Sequence, residues 1–436
     1  MKARPDILWI VTTQWRAQAC GYAGDPNART PHLDALAAQS INYTQAVTPH
    51  PFGPFARAAL LTGVPSPANG LRGYFDPLPR YVPGAVAAAG GKPPGRAIAH
   101  ELGERGYDTG FLGKWHLAAR DPEVSLVGEA HAKMIVPPAD RGGFEFWEGF
   151  ESGFLLNDPW LHGSQLEQPR KFAGYQSDVL CARAAEWLGR REAERVQAGP
   201  VGGRPWFCVV SLEAPHPPYD APAAGVRPRD PGEIVLPANV SRGGEVEARA
   251  RRELAGYYAH IEATDRAIGR LLADVDRAAA RSGREPPHVV VTSVHGDMHG
   301  AHGLFRKGWP YEEAVRVPLL VRTAAPAAAS AAAVSLADLA EMALAWADRT
   351  AFEVALVGGA RISMPSVVAL PHQCDRVWHG WRVSTRKLVL NPDGSPWLFF
   401  DLENDPGEAE NLAGDPGWAR EIAAWRDRIA AHPPRA

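Results

Sequence analysis

The stretch that decides the fold is Pro49-His50-Pro51-Phe52-Gly53-Pro54-Phe55-Ala56-Arg57-Ala58-Ala59-Leu60-Leu61-Thr62-Gly63. Pro54 suits the first turn of a helix, because its missing N–H would have no partner there. The Ala/Leu run after Arg57 propagates the helix, and Gly63 can end it in the left-handed conformation. A helix N-terminus favours an anion, and Arg57 adds a forked cationic donor one turn in. Taken alone, the stretch is equally typical of a surface helix with an exposed arginine.

The same stretch resembles the signature segment of the sulfatases, in the alkaline-phosphatase superfamily. Arg57 and the run from Ala58 to Gly63 match that segment well. In the family, a Cys or Ser that opens the helix is converted to formylglycine, which is the nucleophile. Gly53 stands at that position here, and Phe55 replaces the usual Pro. The resemblance therefore predicts a sulfatase-like chain that lacks its nucleophile.

Composition and charge exclude several other classes of protein. The chain has 436 residues, of which 45% are hydrophobic and 22% charged, and a net charge of −3. This balance suits a globular protein with a sizeable core, and nothing in it suggests nucleic acid or an anionic membrane as a partner. The four cysteines are scattered without metal-site spacing and fit a reducing compartment. Because the N-terminus shows no signal-peptide pattern and no apolar segment could span a bilayer, we expect a cytoplasmic protein.

The first predicted strand leads into a segment that resembles the first metal-binding motif of the sulfatases. The run Ile7 to Val11 is continuously apolar, as in a buried parallel strand, and ligands bind at the carboxyl ends of such strands. In the family, one or two Asp at this point bind a calcium-like ion. Thr13 and Gln14 stand there instead, and Val294 replaces a third Asp just before His295. Hard dications require several oxygen ligands, so we expect no calcium or magnesium and no other cofactor.

Cationic and imidazole side chains are kept at the positions where the family contacts its sulfate ester. The matching residues are Arg57, Lys114, His116, His216, His295 and Lys307. The resemblance implies that the arginine and the two lysines bind the anion. Acid–base work would fall to the three histidines, whose ordinary pKa lies near neutrality, together with Lys114.

Further candidate binding residues lie beside these motifs. The predicted binding residues for the anionic substrate are the three cations together with Gly53, Thr13, Gln14, Trp15, His302 and Trp309. The loop-rich, aromatic region from about 120 to 175 shapes the substrate mouth in the family. Loops packed by their own aromatic side chains are the alternative for that region.

Three functions are compatible with this pattern. The favoured hypothesis is a repurposed enzyme that binds and transforms a sulfate-, phosphate- or carboxylate-bearing small molecule without a metal. The second is an inactive pseudo-sulfatase that binds a ligand, forms a homo-oligomer or pairs with an active homologue. The third is residual hydrolysis of sulfate or phosphate esters by water. The cationic residues could also pair with an acid such as Asp297 and close the site.

The resemblance covers nearly the whole chain and implies an α/β fold. Residues 1–370 would form a large mixed, mostly parallel sheet between helices, and residues 371–436 a small α+β subdomain on an antiparallel sheet. Leu398 to Glu408 closely resembles the C-terminal domain of bacterial sulfatases. We also expect a long helix that opens at Tyr257 and a helix over Leu336 to Leu344.

Overall fold

The computed structural model describes residues 4–85, 92–121, 123–198, 203–352 and 358–431. The strands are β1 Ile7–Thr12, β2 Ile41–Tyr43, β3 Asp108–Lys114, β4 Phe146–Phe150, β5 Trp160–Gly163, β6 Leu166–Lys171, β7 Trp206–Ser211, β8 His288–Ser293, β9 Leu319–Arg322, β10 Ala328–Ser330, β11 Ala360–Met364, β12 Trp378–Arg382, β13 Arg386–Leu390 and β14 Pro396–Asp401. The helices are α1 Pro31–Ala37, α2 Gly53–Thr62, α3 Ile98–Glu104, α4 Glu129–Ala132, α5 Gln176–Ala198, α6 Gly244–Ser282, α7 Glu312–Val315, α8 Asp338–Asp348 and α9 Ala419–Ala431.

A ten-stranded sheet in the order β10-β2-β9-β8-β1-β7-β3-β4-β5-β6 forms the centre of the molecule. Its middle strands, β8-β1-β7-β3-β4, run parallel to one another. Ile7, Trp9 and Val11 of β1 point into one hydrophobic core, whereas Leu8 and Ile10 point into a second core on the other face. Helices α2, α3 and α8 contribute to the first core, and α1, α5 and α6 to the second. This arrangement confirms the predicted α/β class. The uninterrupted apolar runs predicted it because a parallel sheet is buried on both faces.

A four-stranded antiparallel sheet, β11-β12-β13-β14, lies next to the large sheet in the C-terminal part. Its own small core joins Trp381, Leu388 and Phe399 to Ile422 and Ile429 of α9. The first strand, β11, comes from before residue 371, so the antiparallel sheet reaches back beyond the predicted boundary. Among the described helices, none combines the length and the apolar character that a membrane span requires.

The long helix α6 starts at Gly244, well before Tyr257, and the prediction of its start was wrong. Its first turns carry many charged side chains, so the sequence shows no apolar stripe there. Ion pairs one turn apart, Arg249–Glu253 and Arg251–Glu247, stabilise those turns instead.

Helix α2 forms where the opening stretch predicts it. Phe52 precedes the helix in extended conformation, Pro54 is its second residue, and Gly63 caps its end with a φ of 71°. All ten of its residues are buried, Arg57 included, so the alternative of an exposed surface helix was wrong. The buried N-terminus of α2, at Gly53, lines the same space as Gln14, His116 and His216, which follow the parallel strands β1, β3 and β7.

Candidate functional site

A cavity of about 1020 Å³ opens at the carboxyl edge of the parallel strands. Its polar wall includes Gln14 after β1, His116 after β3, His216 after β7 and Lys307 from the loop between β8 and α7. Gly53, the first residue of α2, completes this wall. Four connections that are distant in sequence thus meet at one place, as expected for ligand sites in sheets of this kind.

Lys307 is the buried cation of the cavity wall. Its Nζ donates to Gln14 Oε1 at 2.5 Å and to His216 Nε2 at 2.9 Å. His216 Nδ1 lies 2.7 Å from the carbonyl oxygen of Pro217, and donation to that oxygen leaves Nε2 free to accept. Burial, and next the charge of Lys114, hold the pKa of Lys307 well below its usual value. The lysine therefore occupies a place where its charge is not fully balanced.

His116 is a buried imidazole whose two ring nitrogens have no hydrogen-bond partner among the described residues. A Cβ at Gly53 would lie 3.0 Å from His116 Nδ1, so the ring directly faces the start of α2. Burial and the charge of Lys114 keep the pKa of His116 well below its usual value, and the ring is neutral at neutral pH. Because buried polar groups normally have partners, these nitrogens are available to a ligand.

Arg57 and Lys114 lie behind the cavity wall and hold it in place. The Arg57 guanidinium donates to the carbonyl oxygen of Lys114 (3.1 Å), to Ser211 Oγ (2.6 Å) and to Thr13 Oγ1 (2.7 Å). Lys114 Nζ forms a buried ion pair with Glu213 Oε1 at 2.6 Å. Burial lowers the pKa of Arg57 to about 10. Both cations therefore act on the cavity mainly through their charge and through the backbone that they position.

The side chains at the positions where the resemblance predicts metal ligands do not fit a dication. The Thr13 hydroxyl donates to the carbonyl oxygen of Leu212 and accepts from Arg57, and Gln14 Oε1 accepts from Lys307. Val294 is fully buried and has no donor atom to offer. Only Nε2 of His295 remains unpartnered, since its Nδ1 contacts the carbonyl oxygen of Gly296 at 2.9 Å. The ammonium of Lys307 thus holds the one amide oxygen that a cation could use.

Asp297 does not close the cavity. Its Oδ2 accepts from Tyr219 at 2.7 Å and from the Gln14 amide, and its Oδ1 accepts from the backbone N–H groups of His299 and Arg306. Burial opposes ionisation, but His299 and Arg306 outweigh it and hold the pKa of Asp297 well below its usual value. The carboxylate therefore orients Gln14 and leaves the space beside Lys307 open.

Besides Arg57, Lys114 and Thr13, three further residues of the predicted binding set lie outside the cavity wall. Trp15 is buried in the second core and donates its Nε1 to the carbonyl oxygen of Ala19 at 2.9 Å. His302 stacks on Tyr311 at 4.1 Å, and Trp309 packs against both cores. Each follows a motif closely in sequence, but the chain turns within those few residues and directs the side chain elsewhere.

Aromatic side chains that the motifs do not mark form much of the cavity wall. Phe154 stacks on the His216 ring at 4.6 Å, and Lys114 Nζ lies 4.6 Å from the centre of the Phe154 ring. Tyr74 and Tyr219 line the cavity as well. Phe154 belongs to the aromatic region from 120 to 175, where the sequence signal was present but did not distinguish a cavity residue from a core residue.

The chain is similar to known proteins over nearly its whole length. The sequence matches the family model described as Sulfatase over residues 5–349. An ulvan-active sulfatase of Formosa agariphila is 34% identical over 323 residues, which span 73% of this chain but only 56% of that protein. The choline-sulfatase of Rhizobium meliloti is 26% identical over 98% of this chain and 87% of its own length. The solved structure of the sulfatase yidJ from Bacteroides fragilis, at 22% identity, has the same fold, with a TM-score of 0.82 over 99% of this chain and 96% of that one.

Proposed function

We propose that this chain, which belongs to the sulfatase family, binds an anionic small molecule in a site that uses neither a metal nor a covalent nucleophile. One observation carries the proposal. Arg57 and Lys307 are buried cations beside the cavity, and no carboxylate of the described residues lies within ion-pair distance of either. A buried charge without a counter-charge is costly, so a ligand that supplies the missing charge is strongly favoured.

The surrounding ion pairs show where the positive charge remains. Lys114 is balanced by Glu213, and Asp297 faces Arg306 rather than Lys307. Two positive charges are then left over, one on Arg57 and one on Lys307 whenever it is protonated. A doubly charged sulfate or phosphate group would balance both, and a carboxylate would balance one.

The residues of the wall give the ligand a defined position. Gly53 has no side chain, so an anion can approach the backbone N–H groups at the start of α2. Lys307 supplies a point charge, and His116 supplies a ring nitrogen on the adjacent side. Charge-assisted contacts of this kind contribute roughly 1.5–3 kcal/mol each, so two or three give about millimolar affinity or tighter.

Gly53 has no atom that could attack, so covalent transfer to the family's nucleophile position is closed to this chain. The neutral ring of His116 can accept a proton from a water molecule or from a hydroxyl group of the ligand. General-base catalysis by His116 is therefore the enzymatic form of the proposal.

A second candidate function is a non-catalytic one. The same substitutions, Gly53, Thr13 and Val294, suit a pseudo-sulfatase that binds its ligand or an active homologue without turnover. Homo-oligomer formation and a cytoplasmic location likewise stay predictions from the sequence.

Calorimetry with inorganic sulfate and phosphate, followed by a crystal structure in either salt, tests the proposal. We expect saturable binding, and an anion that contacts Lys307 Nζ and the start of α2. His116→Ala should weaken binding about tenfold, since it removes about one hydrogen bond to a charged group. Lys133 is an exposed lysine that pairs with Glu129. The variant Lys133→Met is the control, and it should bind the anions as the wild type does.

An empty cavity in the crystal, or equal affinity of the wild type and His116→Ala, would overturn the proposal. A screen of anionic metabolites by thermal shift then separates the two candidate functions. Turnover of a stabilising compound that is lost in His116→Ala supports the enzyme, whereas binding without turnover supports the pseudoenzyme.

A further inference from the structure

We propose a second site, which binds a divalent transition-metal ion, at His302, Glu313 and Glu408. One imidazole nitrogen and two carboxylate oxygens of these residues lie within 4.8 Å of one another. His302 comes from the loop after β8, Glu313 from α7, and Glu408 from the loop after β14. None of the three lines the cavity, so this site is independent of the proposed anion site. An ion here would join the large sheet to the antiparallel sheet.

Glu313 is an acidic side chain with a free oxygen in a buried place. Its side chain is only 8% exposed, and its Oε2 has no hydrogen-bond partner among the described residues. His302 Nε2 lies 4.0 Å from this oxygen. Of the neighbouring cations, Arg382 pairs with Glu312 and Lys387 with both Glu312 and Glu408. Arg16 is near enough for Glu313 to contribute to its raised pKa, but it lies beyond ion-pair distance of that carboxylate. A buried carboxylate oxygen without a partner is costly, and a cation would satisfy it.

The amide of Asn239 shows that the cluster holds more acceptors than donors. Its Nδ2 lies 3.2 Å from His302 Nε2, 2.7 Å from Glu313 Oε1 and 3.1 Å from the carbonyl oxygen of Gly407. An amide nitrogen has two hydrogens, so three acceptors compete for two donors. Because an amide N–H can only donate, His302 Nε2 accepts here and presents the lone pair that a metal ion requires.

Asn239 can also become a ligand itself. Its Oδ1 is buried and has no partner among the described residues. Rotation of the amide by half a turn exchanges its nitrogen and oxygen, and an ion bound to His302 and Glu313 would favour the oxygen. The site would then offer one imidazole nitrogen, two acidic side chains and one amide oxygen. Glu408 already accepts from the backbone N–H of Glu312 and pairs with Lys387, so an ion would share this side chain with them.

This donor set selects among metals. Imidazole together with carboxylate suits Zn²⁺ or Mn²⁺, whereas calcium sites use oxygen ligands alone. Ligand bonds of about 2.0–2.2 Å place two donors of one ion roughly 3–4 Å apart. The cluster therefore needs to contract by about 1 Å, which side-chain rotation can supply.

The test measures binding of zinc chloride and of manganese chloride to chelator-treated full-length protein. We expect one equivalent of metal to remain after dialysis, and a rise in Tm of roughly 2–4 °C at a hundredfold excess over Kd. Glu313→Gln keeps the shape of the side chain but removes its charge, and His302→Gln removes the imidazole, so both should lose the bound metal. Glu341→Gln, an exposed glutamate of α8, is the matched control and should retain it.

If the variants fail to fold, the wild-type protein alone still tests whether the cluster binds a metal ion. Co²⁺ bound through one nitrogen and several oxygens gives visible absorption bands, and zinc should displace them. No stoichiometric metal and no cobalt bands in the wild type would overturn the proposal, as would equal metal content in the wild type, Glu313→Gln and His302→Gln. Asn239 would then serve only as a hydrogen-bond hub for these acceptors.

Discussion

Replacement of Lys307 by methionine tests whether the ammonium group is the cation that holds the anion. Methionine fills a similar volume but can neither carry a charge nor donate to Gln14 Oε1 and His216 Nε2. The side-chain amide of Gln14 still donates its hydrogen bond to Asp297, and His216 keeps its contact to the Pro217 carbonyl oxygen. The variant therefore removes the charge and leaves the framework of the wall in place.

The expected loss follows from a single charge-assisted contact. Such a contact contributes about 1.5–3 kcal/mol, which corresponds to roughly 10- to 100-fold in affinity. Removal of a buried, incompletely balanced charge should also stabilise the ligand-free protein. Weaker binding together with equal or greater stability is thus the combined signature of Lys307→Met.

The pH dependence of binding gives an independent measure. Burial and the charges of Lys114 and Arg306 lower the pKa of Lys307, whereas Asp297 and Glu213 raise it only in part. An anion beside the ammonium raises this pKa again, so binding takes up a proton and affinity falls as the pH rises. The slope approaches tenfold per pH unit for one proton. Without an anion, the folded pKa lies below the unfolded value, so stability increases as the pH rises between the two.

Calorimetry with sulfate at pH 6.5, 7.5 and 8.5 checks these effects, with Lys133→Met as the control. Titrations in two buffers of different ionisation enthalpy count the protons that are taken up. Burial and the charge of Lys307 hold the pKa of His216 well below its usual value, so a slope that persists in Lys307→Met is assigned to a histidine whose pKa the anion raises. Sulfate affinity that is the same in the wild type and Lys307→Met would refute the reasoning.

Four further outcomes are expected. Gly53→Ala should weaken anion binding about tenfold, because the new Cβ would lie 3.0 Å from His116 Nδ1. Its Tm should be equal or higher, because alanine favours the helix, and unchanged affinity would contradict the prediction. Purified protein should show no turnover of an aryl sulfate above buffer, with or without calcium, and turnover abolished by a chelator would overturn the interpretation of the lost ligands. Gly53→Cys alone should remain inactive in the same assay even after oxidation of the thiol, since Thr13, Gln14 and Val294 offer no carboxylate for the dication that would activate it. Asp297→Asn should lower the free energy of unfolding by about 2–4 kcal/mol in chemical denaturation at pH 7, because an amide cannot accept at both of its ends the hydrogen bonds that the buried carboxylate accepts, and Arg306 keeps only Glu253 as its counter-charge. Because the folded pKa of Asp297 is depressed, the difference from the wild type should shrink as the pH falls below about 4.

Local rules predicted the parts of the fold that depend on a few adjacent residues. Helix α2 begins next to Pro54 and ends at Gly63, because proline fixes the first turn and glycine accepts the left-handed φ. Lys114 ends a buried strand and His116 lies at the cavity, as the apolar run before them indicated. Such features follow from the backbone preferences of neighbouring residues, which a single sequence displays directly.

Contacts between distant residues were beyond this kind of prediction. Lys114 was expected to meet the anion, but it points to Glu213, almost a hundred residues later in the chain. His302 was expected at the anion site, but it meets Glu313 and Asn239 instead. Side chains one or two positions apart in a loop can face opposite directions, and only the tertiary structure selects between them.

The balance of charge is compatible with a site that has Arg57, Lys114 and Lys307 but no acidic residue at positions 13 and 294. A dication needs its carboxylates, so a site that has neither the ion nor carboxylates at positions 13 and 294 carries nearly the same total charge as a site that has both. Lys307 then reaches Gln14 Oε1 and takes over that oxygen. The ammonium group of Lys307 replaces part of the charge of a metal ion. Unlike the ion, the ammonium group can lose its charge by releasing a proton when the cavity holds no anion. The substitutions are therefore consistent with a site whose positive charge forms in response to its ligand.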